Sequence, residues 1–421
     1  MADAAGRLHE KMREKDPAIG KDDIVDVAVS YDGTWHKRGY TSNHGVGVVI
    51  ALETGEVLDR EVLSKVCKAC QHRKGWDRDG EEFKKWWDGH KDECLGTHVG
   101  SSGKMEVTAA VNMWGRSVQK HKLRYKYMLC DGDSSACNNV QGVYGDGCNV
   151  HKVDCVGHVG KRMYKALDTF RKGKKGKLSD GKGVGRGKGR LRGTSDTGSI
   201  GRLCRLYRNA IRKNSNIRAL DNEGSKKEAV EKMRRAILAI LYHSVKLSDN
   251  DVRHQYCPDD DWCVYKKGGT MKDKDTHLDP VFLPLLLPIF KRLSDPKLLE
   301  RCLPGCTQNQ NESFNALIWK RCPKYLWRGS RVVCTAVDMA VLAFNSGAEN
   351  GRNRILRLLN LNMGTHAIKS SVKKDNKRIK NADRKSREVS KKRREKLRQA
   401  KKAREERDKL RDGAMYSSGT Y

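Results

Sequence analysis

Residues 24–35, IVDVAVSYDGTW, alternate in period two. Val25, Val27, Val29 and Tyr31 fall on one side; Asp26, Ala28, Ser30 and Asp32 fall on the other. Successive side chains of an extended chain point to opposite faces, so this pattern predicts a β-strand. GVGVVIAL (45–52) predicts a second strand and GEVLDREVLSK (55–65) a third, with Thr54-Gly55 as the hairpin turn between them. The period then changes. In KMEVTAAVNMWGRSVQKH (104–121), Val107, Ala110, Val111, Trp114 and Val118 share one helical face. RYKYMLC (124–130) and NVHKVDC (149–155) predict a fourth and a fifth strand, and GKRMYKALDTFRK (160–172) a helix. Three strands in meander, then alternating helices and strands, describe a mixed α/β sheet.

Beyond residue 172 the pattern is helical. KGKKGKLSDGKGVGRGKGRLR (172–192) is rich in Gly and Lys and reads as a solvated linker or a phosphate-touching loop. In AVEKMRRAILAILYHS (229–244), Val230, Met233, Ile237, Ile240 and Leu241 recur at helical spacing. SDPKLLERC places Asp295 as an N-cap and Pro296 at the first helical position. Residues 173–300 therefore read as a linker plus an all-α insertion. TQNQNESFNALIW (307–319) starts a further helix, with Phe314, Leu317 and Ile318 on its apolar face and Glu312 projecting elsewhere. The organisation expected is a polar lead (1–23), a sheet domain (24–172) with a cysteine-rich segment inside it (66–98), the insertion (173–300), closing helices (301–365) and a basic tail (366–421).

Charge narrows the partners. The chain of 421 residues carries 86 Lys and Arg against 52 Asp and Glu, a net charge of +34. Such an excess points to a polyanion, foremost nucleic acid. Within 369–412 there are 21 Lys and Arg against 8 Asp and Glu. No uninterrupted transmembrane span is expected; the most apolar stretch, VFLPLLLPIF (281–290), is short and holds Pro284 and Pro288. The opening residues carry no secretory h-region. An intracellular, reducing setting makes the 14 cysteines core residues and metal ligands rather than a disulfide framework.

Cys67-x2-Cys70 is followed, after nineteen residues, by His90-x3-Cys94. Two close pairs of soft ligands joined by a loop predict a closed structural Zn²⁺ site, with His72 and His98 as alternative ligands. A looser set, His254, Cys257, Cys263, Cys302 and Cys306, is a candidate for a second zinc. Carboxylates form a third group. Asp32 ends the first predicted strand and Asp131 the fourth, and Glu312 lies on the late helix. Acids from several elements can hold a pair of Mg²⁺ ions for phosphoryl displacement. On spacing alone, Asp32 and Asp131, each followed by Gly, read more readily as turn residues.

VAVSYDGTWHKRGYTSNHGVGVVI, SSGKMEV, YMLCDGDSSA, CVGHVGKRM, YRNAIRKN and CTQNQNESFNALIW occur in that order over residues 24–345. As an ordered set they resemble the Mutator-like transposase domain of animal transposable elements. The resemblance implies an RNase H-like DDE fold whose three acids fall on Asp32, Asp131 and Glu312, with Asp133 as runner-up for the second. It implies Mg²⁺ or Mn²⁺ at those acids, and cleavage and strand transfer of transposon ends. The alternative is a domesticated or shortened copy that binds DNA without cutting it. The wider class carries a Cys-x-x-His after the second acid, here Cys155 and His158, placed near DNA or metal. It also carries an insertion-domain tryptophan near the DNA, matched here by Trp262. Partners implied are double-stranded DNA, both transposon ends and target, and a second copy of the chain; no membrane is implied. KKRREKLRQAKK (391–402) would serve nuclear localisation. Many relatives place a separate DNA-binding module ahead of this domain. Here about twenty residues precede the first strand, so end recognition is expected from the zinc segment, the insertion, the tail or a partner.

Overall fold

The computed structural model describes the chain apart from residues 38–40, 132–134, 194–197, 260–261, 270–276, 388, 391–392, 395–396, 398–399, 401–403 and 405–421, and the side chains of 218, 221 and 386. Asp133 and most of the basic run 391–402 lie outside the described residues. The elements are α1 (Ala2–Lys15), β1 (Val25–Trp35), β2 (His44–Ala51), β3 (Val57–Ser64), α2 (Lys68–His72), α3 (Glu81–His90), α4 (Lys104–His121), β4 (Leu123–Cys130), α5 (Ser135–Asn139) and β5 (His151–Asp154). The remainder is helical: α6 (Val156–Gly173), α7 (Ser199–Lys213), α8 (Glu223–Ser244), α9 (Asn250–His254), α10 (Phe282–Arg292), α11 (Pro296–Cys302), α12 (Asn309–Arg321), α13 (Ser330–Leu358) and α14 (Thr365–Ser386).

The five predicted strands form one mixed sheet in the order β3-β2-β1-β4-β5. β1, β2 and β3 pair antiparallel; β4 and β5 join β1 in parallel. The alternation in β1 works as expected. Val25, Val27, Val29 and Tyr31 are buried against Met105, Ala109, Met113 and Trp114 of α4. Trp114 is fully buried, edge-on to Tyr31 and Tyr125, and its Nε1 donates to the Tyr125 carbonyl at 3.1 Å. Helix and sheet meet closely at Gly47, where a Cβ would lie 2.7 Å from that of Ala109. The opposite face of β2 and β3 packs Val46, Val48, Ile50 and Val57 against Phe314 and Ile318 of α12 and Val333 and Val337 of α13. β2, covered on both sides, is buried throughout.

α13 departs from the expectation that no segment resembles a membrane span. By length and composition alone it would pass for one, with a window of mean hydropathy 1.3. Its packing differs from that of a span. Val333, Val337 and Val341 cover the sheet, and Asp338 takes the Arg60 guanidinium of β3 in two bonds of 2.9 Å. Asn345 uses its amide as a short strand, accepting from Val57 N and donating to Val57 O, both at 2.9 Å. That caps the exposed edge of β3. At Gly347 the helix kinks, and Asp375 of α14 accepts from the freed amides of Ala348 and Glu349.

Two further segments differ from their expected character. The polar lead contains α1, whose Ala4, Ala5 and Leu8 are buried on the α4 side of the sheet. The stripe is short and made of small residues, which is why composition hides it. The 172–192 stretch, expected as a solvated linker or a phosphate-touching loop, is exposed for most of its length, but its end folds onto the helices. Val184 and Leu191 are buried in a cluster built from α6, α7, α8, α10 and α11. α6, grouped with the sheet domain from the sequence, contributes Val156, Val159, Met163 and Leu167 to that cluster.

His121, at the end of α4, offers a pH probe of the sheet domain. Burial holds its imidazole down at about 4 from an ordinary 6.5, against the upward pull of Asp59. The unfolded chain therefore binds one proton more than the folded chain between those values. Stability is expected to fall as pH drops from 6.5 toward 4 and to level off below, by about 3 kcal/mol at most. Urea midpoints measured from pH 7.5 to 4 should show this slope in the wild type and lose it in His121→Gln.

Candidate active site and metal-capable clusters

The carboxyl ends of parallel strands gather functional groups because the chain leaves the sheet there in loops. Asp32 is near the end of β1, and Asp131 directly follows β4. In the β1–β4 pair, Ser30 lies beside Leu129. Two residues further along the same register bring Asp32 beside Asp131, with neighbouring strands about 4.8 Å apart.

α12 runs along the face of β1 opposite α4. Asn311, Asn315 and Trp319 recur every four residues and meet alternate residues of β1. Asn311 Nδ2 donates to the Ser30 and Val48 carbonyls at 3.4 Å, Asn315 Nδ2 to Asp32 Oδ2 at 2.7 Å, and Trp319 Nε1 to Thr34 Oγ1 at 2.8 Å. The match is one of pitch: four helical residues rise about 6 Å, two strand residues about 6.8 Å. Gln308, at the helix start, donates to the Tyr31 carbonyl at 2.9 Å. Phe314 and Ile318 anchor the apolar side. Glu312 is thereby held in the first turn of α12, exposed, on the side of the strand ends.

Electrostatics shows that Asp32 feels the other two acids. Asp32 is pushed up to about 7, first by burial, then by the charge of Asp131; the Asn315 bond opposes this and the charge of Glu312 adds to it. The charges of Asp131 and Glu312 both reach Asp32, so the three carboxylates lie near one another. Asn315 Oδ1, buried beside them without a protein partner, adds an acceptor of the same kind. These donors fit Mg²⁺ or Mn²⁺. Their oxygens approach less closely than those of the two Cys/His sets, whose ligand atoms lie within 4.8 Å of one another.

Cys155 and His158 open α6. Cys155 is buried, and its Sγ accepts from the backbone amide of Gln308 at 3.4 Å. Val156 N donates to the Cys306 carbonyl at 3.1 Å. Cys155 thus braces the start of α12, one turn before Glu312. His158 is half-buried, with Nδ1 lacking a protein partner.

Cys67, Cys70, His90 and Cys94 come together as the spacing predicts. His90 Nε2 lies 3.4 Å from the Sγ atoms of Cys67 and Cys70, and Cys70 Sγ lies 3.5 Å from that of Cys94. His72 and His98 stand outside the set; His98 Nε2 is bonded to the Ser101 carbonyl at 3.1 Å. α2 and α3 bury none of their residues fully. Trp86 stacks on His90 at 4.6 Å, and the Arg73 guanidinium lies over the Trp86 ring, 4.4 Å from its centroid. With so little apolar core, a structural zinc suits this segment.

The second cysteine set needs correction. His254, Cys257 and Cys263 do cluster, but their fourth member is His243, at the end of α8. Cys302 is a core residue of the helical cluster, and Cys306 packs beside Leu129, Val153 and Cys155. The reading favoured a cysteine pair far along the chain; the fold brings in a histidine eleven residues before His254, at the end of the preceding helix. Trp262 is 44% exposed, with its ring edge-on to His243 at 4.7 Å. The bond from Asn315 to Asp32 joins residues 283 positions apart and was not legible in the sequence.

Residues 1–263 match the family model described as Mutator-like transposase. No curated protein and no solved structure matches the chain. Asp32, Asp131 and both Cys/His sets lie within the matched residues; Glu312 follows them.

Proposed function

The chain belongs to the Mutator-like transposase family, and from that premise we propose that it is a DNA transposase that cuts transposon ends and joins them to target DNA. Asp32, Asp131 and Glu312 are its cation-binding acids in this reading. The observation that carries it is the pairing of two strand-end acids with a helix acid whose charge reaches Asp32. The sheet order, with its antiparallel meander and two parallel strands, supports reading the fold as RNase H-like.

A divalent pair held there would lower the pKa of a bound water or hydroxyl and stabilise charge on the leaving oxygen. The chain's own residues supply the geometry. Asn315 orients the Asp32 carboxylate through Oδ2. Cys155 and Gln308 fix the start of α12 and hence Glu312. The basic segments 160–192 and 369–411 neutralise phosphates without reading bases. Joining two ends to one target calls for two active sites, hence a homo-oligomer on DNA. Residues 391–402 would direct the protein to the nucleus.

The test is nicking and strand joining on supercoiled plasmid carrying candidate ends, in Mg²⁺ or Mn²⁺, with wild type beside Asp131→Asn. Cation-dependent joined products that vanish in the variant are expected. Cleavage at any sequence without joining would make the protein a nuclease of this fold. DNA binding with no cleavage by either protein would favour a copy retained for binding.

A further inference from the structure

We propose that the helical region holds a second structural zinc, bound by His243, His254, Cys257 and Cys263. This site is separate from the acids and does not depend on their role.

The geometry is that of a closed tetrahedron. With Zn–N near 2.0–2.1 Å and Zn–S near 2.3 Å, tetrahedral edges are about 3.3 Å for N–N and about 3.6 Å for N–S. The Nδ1 atoms of His243 and His254 are 3.2 Å apart. Cys257 Sγ lies 3.6 Å from each, and Cys263 Sγ lies 3.4 Å from His254 Nδ1. All four ligand atoms fall within 4.8 Å of one another, and His254, Cys257 and Cys263 are buried. Both cysteines are free thiols, so no disulfide accounts for the approach.

The surroundings hold the ligands in place. The His254 ring stacks on Tyr265 at 4.6 Å, and Tyr265 donates to Asp251 Oδ1 at 2.9 Å. Asp249 caps α9 by accepting from Asp251 N and Val252 N, which sets the turn that delivers His254. The local apolar cluster is small: Ala239, Cys257 and Cys263, with Tyr256 and Tyr265 beside them. Such a segment buries too little surface to order itself, and a metal supplies the missing free energy. Four protein ligands leave no position open for water, so the metal is structural. It ties the end of α8 to the 254–263 segment and fixes Trp262 against His243.

The experiment measures zinc per chain in the full-length protein after dialysis against a mild chelator. The wild type is expected to hold two. His243→Ala and the double variant Cys67→Ser/Cys70→Ser should each hold one, and Cys302→Ser should keep two. After Co²⁺ exchange, the Cys67→Ser/Cys70→Ser variant should show the charge-transfer absorption of two thiolates. A wild type with one zinc that disappears in the Cys67→Ser/Cys70→Ser variant would overturn the proposal, as would two zincs in His243→Ala. Should His243→Ala fail to fold, wild-type stoichiometry and the metal retained by the Cys67→Ser/Cys70→Ser variant still decide it.

Discussion

Asp32→Asn is expected to lower cation-dependent DNA cleavage by on the order of 10³-fold or more, with DNA affinity nearly unchanged. The substitution keeps shape and removes charge, so its effect reports on the cation. Asp32 is the centre of the acid group: it receives the charge of Asp131 and Glu312 and the 2.7 Å bond from Asn315. A cation that binds the folded protein raises its melting temperature. Millimolar Mn²⁺ should therefore stabilise the wild type against heat and leave Asp32→Asn unmoved. Asn315→Leu should sit between the two, losing roughly 10–10²-fold in rate, because it loosens a carboxylate without deleting it. Equal rates for wild type and Asp32→Asn, on a substrate the wild type cuts, would end the three-acid reading.

Arg190→Met is expected to destabilise the helical region by about 1–3 kcal/mol, since the loop carbonyls that the buried guanidinium holds lose their donor. Arg190 is 2% exposed. Its guanidinium pairs with Asp180 and lies 3.2 Å from Asp279 Oδ2, and it donates to the carbonyls of Gly183 at 2.7 Å and Lys182 at 3.1 Å. Its cationic carbon lies 4.9 Å from the Phe282 ring centroid. The neighbouring Gly189 has φ +73°, and a Cβ there would run into Asp279. One arginine thus closes the Gly/Lys-rich loop onto α10. Urea unfolding should show the loss, and trypsin should cut within 172–192 sooner in the variant than in the wild type. An unchanged midpoint would mean that the loop contributes nothing to the core.

The grouping of the three acids was legible in unequal parts. Asp131 stood out because it directly follows an apolar strand run; Asp32, read as ending its strand, lies three residues inside β1, which runs on to Trp35. Glu312 had no such mark. Its helix was recognisable from Phe314, Leu317 and Ile318, but only the hydrogen bonds of Asn311, Asn315 and Trp319 to β1 show how that helix lies. The first zinc-ligand set was readable because its ligands come in two tight pairs, and a pair within four residues must share one turn. The second was half readable: His254, Cys257 and Cys263 are close in the chain, whereas His243 belongs to another helix.

The amino-acid sequence by itself determined the strands, the α4 helix, the basic character and the Cys67–Cys94 ligand set. Each follows from side-chain period, charge or short spacing, which act over a few residues. Tertiary structure alone decided that Arg190 pins the end of a loop composed like a linker, that α1 docks on the sheet, that α13 packs against the sheet, and that His243 rather than Cys302 joins His254, Cys257 and Cys263. These depend on which surfaces meet in the fold, and no side-chain period carries that information, because burial and charge pairing are settled by neighbours on other elements.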